Sequence, residues 1–182
     1  MYGRSDADWA TSDVDERRTV IGHLIMLSGA AIFWSTRFWK PCLSIHEGEF
    51  GAATELAREV IGAHQLLCEL PLTYAAVRGN EPVTCLTDSM GTALVSNNPK
   101  AHSTSKHCHI REAWMQGMVK EGLIRVQHDL REANTAADGL VKPKSKNEFR
   151  ACRDQSVGPF QNLVIKLSPG EQLRKRKIEE VE

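Results

Sequence analysis

The stretch TVIGHLIMLSGAAIFWS (residues 19–35) predicts a β-hairpin. Two runs rich in apolar and β-branched residues, 19–27 and 31–35, flank the turn residues Ser28 and Gly29. Residues 4–9, before the hairpin, are typical of the end of a short strand. Three strands are therefore expected before any helix, which excludes an all-helical fold.

Beyond the hairpin, helical and strand patterns alternate along the chain. Residues 45–70 carry an apolar stripe at helical spacing and residues 83–87 form a short apolar run. Helices are then expected over 89–96, 110–121 and 135–141, with a strand over 123–127. This order predicts an α/β fold whose mixed sheet joins an antiparallel hairpin to later parallel strands and is flanked by helices.

The apolar pattern thins from residue 144 onward. We therefore predict one domain over residues 1–143 and a charged, poorly ordered C-terminal tail over residues 144–182. The run Arg174-Lys175-Arg176-Lys177 resembles a nuclear import signal, although such runs are also frequent in solvated tails.

The bulk composition limits the classes of partner and compartment. The 23 Lys and Arg residues balance 23 Asp and Glu residues, so any nucleic acid would have to be bound by a local basic patch. The apolar stretch 20–33 is too short and interrupted to span a bilayer, and no signal-peptide pattern precedes it. We expect an intracellular monomer, cytoplasmic or nuclear, without a membrane partner. Five dispersed cysteines are expected to be free thiols: Cys42, Cys68, Cys85, Cys108 and Cys152.

Four carboxylates are candidates for one acidic site: Asp6, Glu49, Asp88 and Asp138. Three of them fall at the edge of a strand or in the first turns of a helix. Such positions allow side chains from different elements to converge. Clustered acidic oxygens repel one another, and the group persists mainly where divalent cations neutralise it. A metal-dependent phosphodiester hydrolase is therefore the leading hypothesis.

Each of these carboxylates has a structural alternative or a competing neighbour. Asp88 could be a helix N-cap and Asp138 a helix-surface carboxylate. Asp6 and Asp8 alternate along a strand and share a face, so the residues alone do not choose between them. Glu47 and Glu49 lie about 200° apart around a helix. Because Glu49 lies beside the buried stripe, we expect Glu49 to face a cleft and Glu47 to face water.

Six segments together resemble one known family. Residues 5–10 (SDADWA) are similar to its SDADWAG, residues 15–18 to its charged DDRRS turn, and residues 32–35 (IFWS) to ISWSS. Residues 44–50 (SIHEGEF) resemble SSTEAEY, residues 105–111 (SKHCHIR) resemble TKHIDIR, and residues 137–143 (ADGLVKP) resemble LADILTKP. Found in order over roughly residues 4–143, they resemble the ribonuclease H domain of copia-type long-terminal-repeat retrotransposon polyproteins.

The resemblance implies a five-stranded mixed sheet with flanking helices and an endonuclease that hydrolyses the RNA strand of RNA–DNA hybrids. It implies two Mg²⁺ ions, with Mn²⁺ able to substitute, held by Asp6, Glu49, Asp88 and Asp138. It thus selects Asp6 over Asp8, and it suggests a reverse transcriptase domain as a partner. Arg4 stands where the family usually has Tyr, and His109 where it has Asp. The alternative function is a catalytically inactive remnant or a non-catalytic nucleic-acid-binding module of the same fold.

Other residues carry weaker signals. His102, His107, Cys108 and His109 could form a zinc site, although the matched family pattern has none there; His107 could instead contact nucleic acid or pack at a helix start. Trp39 could stack on substrate, whereas the aromatic residues in general are expected to be core or partly buried: Trp9, Phe33, Trp34, Trp39 and Trp114. Phosphate contact or plain surface charge could explain six basic residues: Arg17, Arg18, Arg37, Lys40, Lys106 and Arg111.

Overall fold

Five strands form one mixed sheet in the computed structural model, which describes residues 1–9, 19–70, 81–99, 108–130 and 133–157. The spatial order is β3-β2-β1-β4-β5. β1 pairs antiparallel with β2, and β2 with β3, whereas β1–β4 and β4–β5 are parallel. The predicted fold class is thereby confirmed. The strands are β1 (Tyr2–Asp8), β2 (Val20–Leu27), β3 (Ala30–Phe38), β4 (Val83–Thr87) and β5 (Ile124–His128).

The helices of the described residues are α1 (Ile45–Glu69), α2 (Met90–Asn97), α3 (His109–Lys120), α4 (Thr135–Val141) and α5 (Lys146–Val157). Serine hydroxyls cap the N-termini of two of these helices. Ser44 Oγ accepts a hydrogen bond from the backbone N–H of Glu47 at 3.1 Å, and Ser89 Oγ accepts from that of Thr92 at 3.3 Å. These bonds satisfy donors that helix starts leave open, so the boundaries of α1 and α2 follow from local sequence.

Helices cover both faces of the sheet because neighbouring β2 residues point in opposite directions. Ile25 packs in the main core with residues of α1 such as Phe50 and Leu56. Leu24 packs in a second cluster with Ala136 and Ala137 of α4. The sheet is therefore held between α1 on one face and α4 on the other.

α5 lies within the segment that the sequence analysis treats as a poorly ordered tail. Its residue Cys152 is buried, and Gln155 Oε1 accepts a hydrogen bond at 2.9 Å from the backbone N–H of Ala136 in α4. Poor order is thus the wrong expectation for residues 146–157, because the buried Cys152 and the Gln155 hydrogen bond pack this helix on α4. The domain boundary stays a prediction, and residues 158–182 lie outside the described residues.

The edge strand β3 exposes more apolar surface than its sequence suggests. Trp34 was expected to be at least partly buried, but its relative exposure is 65%. Trp39 and Trp114 are half-buried as expected. All five cysteines are free thiols, also as expected. Among the described helices, none combines the length and the apolar character needed to cross a membrane.

Candidate metal centre

Three predicted carboxylates meet where β1 and β4 stop pairing. The last paired residues of these strands are Ser5 and Thr87, and Asp6 and Asp88 each follow directly. Glu49 reaches the same place from the second turn of α1. One carboxylate oxygen from each of Asp6, Glu49 and Asp88 lies within 4.8 Å of the others. The structure therefore brings together residues that are 43 and 39 positions apart in the chain (49 − 6 and 88 − 49).

Two aspartate oxygens of this cluster lack hydrogen-bond donors among the described residues. Asp6 is completely buried, and neither its Oδ1 nor Asp88 Oδ1 accepts a hydrogen bond from the described residues. Burial raises the pKa of Asp6 to about 6; Lys142 partly offsets this, and the nearby Asp88 raises it further. Buried carboxylate oxygens without donors suit a hard divalent cation, which prefers oxygen ligands. The donor set therefore fits Mg²⁺ or a similar ion.

Asp88 does not have the alternative role considered for it. Ser89 rather than Asp88 is the N-cap of α2, since its hydroxyl accepts the hydrogen bond from Thr92. The interpretation of Asp88 as an N-cap is therefore wrong, because the helix begins one residue later than that role requires. Its carboxylate is left available for the cluster.

Asp138 lies beside the cluster and is linked to it through Lys142. Lys142 Nζ is 2.6 Å from Asp138 Oδ1 and 3.2 Å from Asp6 Oδ2, and Lys144 Nζ contacts Asp138 Oδ2. Partial burial alone would raise the pKa of Asp138, but hydrogen bonds from Lys142 and Lys144 outweigh it and lower the pKa to about 2. Asp138 is thus firmly ionised, and a lysine separates it from Asp6.

Two contacts position the segment that leads into α4. Arg4 on β1 pairs with Asp129 at 3.1 Å and donates a hydrogen bond to the carbonyl of Ala133. Asn134 Nδ2 donates to the carbonyl of Ser5 at 3.0 Å. The unusual Arg4 therefore ties β1 to the chain that follows β5. The sequence analysis did not assign this role; a basic residue in a buried-strand pattern was its only signal.

Glu47 is buried, contrary to the expectation that it faces water. Its relative exposure is 2%, its Oε2 accepts a hydrogen bond from the backbone N–H of Leu43 at 2.9 Å, and its Oε1 lies 2.7 Å from Lys40 Nζ. The physical reason is that the segment before α1 folds back over this side of the helix. The helical geometry nevertheless separated the two glutamates correctly, since Glu49 and not Glu47 joins the cluster.

A basic and aromatic surface is centred on Trp39. The guanidinium carbons of Arg37 and Arg111 lie 5.2 Å and 5.4 Å from the centroid of its indole ring. Arg37 also pairs with Glu55, and Lys40 with Glu47. Three of the basic residues considered for phosphate contact lie outside the described residues: Arg17, Arg18 and Lys106.

The suggested zinc ligands are only partly within the described residues. His102 and His107 lie outside them, Cys108 is buried at the start of α3, and His109 is exposed. Among the described residues, the cluster of three or more potential metal ligands consists of Asp6, Glu49 and Asp88 and includes no histidine or cysteine. The zinc hypothesis therefore stays a prediction, because two of its four ligands lie outside the described residues.

Solved structures with the same arrangement of strands and helices share little sequence with this chain. The LC11 ribonuclease H1, isolated from compost and solved with an RNA/DNA hybrid, is 15% identical with a TM-score of 0.55, over 77% of this chain and 92% of that one. The chain has the ribonuclease H fold. The foamy viral protease–reverse transcriptase, also solved with an RNA/DNA hybrid, is 12% identical with a TM-score of 0.56, over 77% of this chain and 19% of that one.

This ribonuclease H-fold chain is also similar in sequence to proteins encoded by transposons. It is 34% identical over 155 residues, or 85% of its length, to the retrovirus-related Pol polyprotein of transposon TNT 1-94 from Nicotiana tabacum. It is 30% identical over 151 residues, or 82% of its length, to that of transposon RE1 from Arabidopsis thaliana. The chain spans about a tenth of the length of these relatives. These two homologues are Pol polyproteins of plant retrotransposons, and no known protein-family profile matches the chain.

Proposed function

We propose that this chain is a metal-dependent ribonuclease H that cleaves the RNA strand of RNA–DNA hybrids as a domain of a copia-type retrotransposon Pol polyprotein. The observation that carries the proposal is the meeting of Asp6, Glu49 and Asp88 with oxygen atoms within 4.8 Å of one another. The fold and the retrotransposon homologues support the same reaction class. A reverse transcriptase domain is the expected partner, since the foamy viral structure carries this fold beside a polymerase.

Asp6, Glu49 and Asp88 would hold the divalent cation, and Asp138 would complete the site. When bound, a pair of Mg²⁺ ions, or Mn²⁺ in their place, supplies activation of the attacking water and stabilisation of the leaving 3′ oxygen. Asp6 is suited to hold a cation because, among the described residues, its Oδ1 accepts no hydrogen bond and its Oδ2 pairs with the ammonium group of Lys142. The proposed reaction uses no nucleophile from the protein.

Phosphate contact is assigned to Arg37 and Arg111, which flank Trp39. Two cationic groups held by one aromatic ring form a preorganised anion-binding surface. Lys40 and Arg37 each also neutralise a buried glutamate, Glu47 and Glu55, which reduces the positive charge that they offer to a phosphate. Base stacking on Trp39 is disfavoured, since both guanidinium groups already lie close to its ring.

Cleavage of a labelled RNA–DNA hybrid, with Mg²⁺ or with EDTA, tests the proposal. Wild type should cut only the RNA strand, and Asp88→Asn should lower the rate at least about a hundredfold while the fold stays intact. Asp8→Asn is the matched control, because Asp8 lies on the same strand as Asp6 and is not part of the cluster. Its rate should equal that of wild type.

Two results would contradict the proposal. The first is full activity in Asp88→Asn. The second is no cleavage by folded wild-type protein; hybrid affinity would then separate a binding module from an inactive remnant.

A further inference from the structure

The ammonium group of Lys142 lies between two carboxylates of the candidate metal centre. Its Nζ is 2.6 Å from Asp138 Oδ1 and 3.2 Å from Asp6 Oδ2. Lys144 contacts the second oxygen of Asp138. A cation that belongs to the chain itself therefore already neutralises the Asp6–Asp138 side of the site.

This lysine satisfies one side of the cluster and leaves the other open. Asp6 Oδ1 and Asp88 Oδ1 are buried and accept no hydrogen bond from the described residues. The completely buried Asp6 thus has one oxygen on a lysine and one oxygen without a donor. The two sides are consequently unequal in their demand for a further positive charge.

Lys142 is placed so that its ammonium can leave. It is the C-cap of α4 with an extended backbone, and its side chain is 26% exposed. Four rotatable bonds connect the charge to the backbone. Withdrawal of the ammonium into water requires no movement of α4.

We propose that Lys142 is a built-in competitor of the divalent cation on the Asp6–Asp138 side of the site. The proposal rests on the metal-dependent function proposed above. Like charges at this separation repel, so a divalent cation binds between Asp6 and Asp138 only after the ammonium has moved away. A cation held by Asp6, Glu49 and Asp88 binds first, and occupancy of the Asp138 side requires a higher concentration.

The test is direct measurement of cation binding without nucleic acid. Isothermal titration with Mg²⁺ gives affinity, and electron paramagnetic resonance with Mn²⁺ counts bound ions. Lys142→Met removes the charge and keeps an unbranched side chain only one atom shorter. It should tighten the weaker binding step at least about tenfold, in accordance with removal of one like charge from a poorly hydrated site. Lys146→Met is the matched control, because Lys146 is exposed at the start of α5, and its binding curve should match wild type.

Each other outcome is decisive. Equal or weaker binding by Lys142→Met overturns the proposal while leaving the metal-dependent function intact. No Mg²⁺ or Mn²⁺ binding by wild type or any variant overturns both. Lys142→Gln, a neutral variant that keeps an N–H donor, serves if the Met variant does not fold. If neither variant folds with or without Mg²⁺, Lys142 is a structural residue and the proposal is wrong.

Discussion

Gly22 lies directly opposite Asp6 in the antiparallel pairing of β1 and β2, and its lack of a side chain lets α4 approach this part of the sheet. A Cβ atom at Gly22 would lie 2.7 Å from Val141 Cγ1 and 2.9 Å from Leu140 Cβ. Both distances are shorter than normal carbon–carbon contacts. The close approach places Asp138 of α4 near enough to Asp6 for the ammonium of Lys142 to contact both carboxylates.

Gly22→Ala should therefore push α4 away from β2. We expect the free energy of unfolding to fall by about 1–3 kcal/mol, as in other overpacked sites, and hybrid cleavage to decrease with it. Urea unfolding measures the first effect. Gly62→Ala is the control, since a Cβ there meets no atom within 4 Å; in a helix it should raise stability by about 0.5–1 kcal/mol. A Gly22→Ala protein as stable as wild type would contradict the close-packing argument.

The two glutamates of α1 should respond differently to the same change. Glu49→Gln should abolish the Mg²⁺-dependent rise in melting temperature with little effect on the metal-free protein, because Glu49 belongs to the carboxylate cluster. Glu47→Gln should instead lower metal-free stability by up to about 1 kcal/mol, since it removes the charge that pairs with the partly exposed Lys40 ammonium. Melting curves with and without Mg²⁺ separate the two. The assignment fails if Glu47→Gln, not Glu49→Gln, removes the Mg²⁺ response.

Asp6→Asn should stabilise the metal-free protein at neutral pH. The pKa of Asp6 is raised from 3.8 to about 6, which means that the folded state favours the protonated carboxyl group. The stability gained from this protonation is fully present below pH 3.8 and is lost as pH rises through 6. Asn resembles the protonated acid, and the gain at pH 8 should be about 1–3 kcal/mol, at about 1.4 kcal/mol per pKa unit. Urea unfolding at pH 8 with EDTA measures it. Lower stability of Asp6→Asn under these conditions would show that the Lys142 ion pair dominates.

His23 should make the protein less stable in mild acid. It is 2% exposed, neither ring nitrogen has a hydrogen-bond partner among the described residues, and burial lowers its pKa from 6.5 to about 4, with a further lowering from Arg37 and an opposing effect of Glu55. Stability from the neutral ring is therefore complete above pH 6.5. It is lost progressively as pH falls to 4, by about 3 kcal/mol at most.

His23→Leu gives the comparison for this pH dependence. The free energy of unfolding of both proteins is measured between pH 7 and pH 4. As pH falls, wild type should lose more stability than His23→Leu. Asp6 changes stability with pH in the opposite direction, but it is present in both proteins, so its effect cancels when their stabilities are subtracted. A pH-independent difference would contradict the lowered pKa of His23.

Gly139→Ala should loosen the contact between α4 and α5. A Cβ at Gly139 would lie 2.5 Å from Cys152 Sγ, so the two helices cannot keep their separation. Cys152 is buried in the wild type, and its thiol should react faster with a maleimide in the variant. Gly117→Ala in α3, where a Cβ meets nothing within 4 Å, is the control and should leave the labelling rate unchanged. Unchanged labelling of Gly139→Ala would show that α5 is not held as described.

Much of the fold was predictable because its elements have local patterns. The hairpin, α1, β4 and α4 follow from apolar spacing, capping serines and turn residues, which act over a few positions. α5 was missed because its buried side consists of little more than Cys152, and its packing depends on Gly139 and Ala136 of another helix. Non-local contacts of this kind leave only a faint periodic signal.

The sequence by itself determined the order of strands and helices and named the acidic residues that could form a centre. Residue type and period were enough for most of this, because strand and helix geometry decide which side chains share a face, but the choice of Asp6 over Asp8 came from the family resemblance. Only the tertiary structure decided that Asp6, Glu49 and Asp88 meet, that Glu47 is buried and that Lys142 stands between Asp6 and Asp138. The physical reason is that each relationship arises from the approach of separate elements, and electrostatic contacts act between atoms a few ångströms apart in space, whatever their distance along the chain.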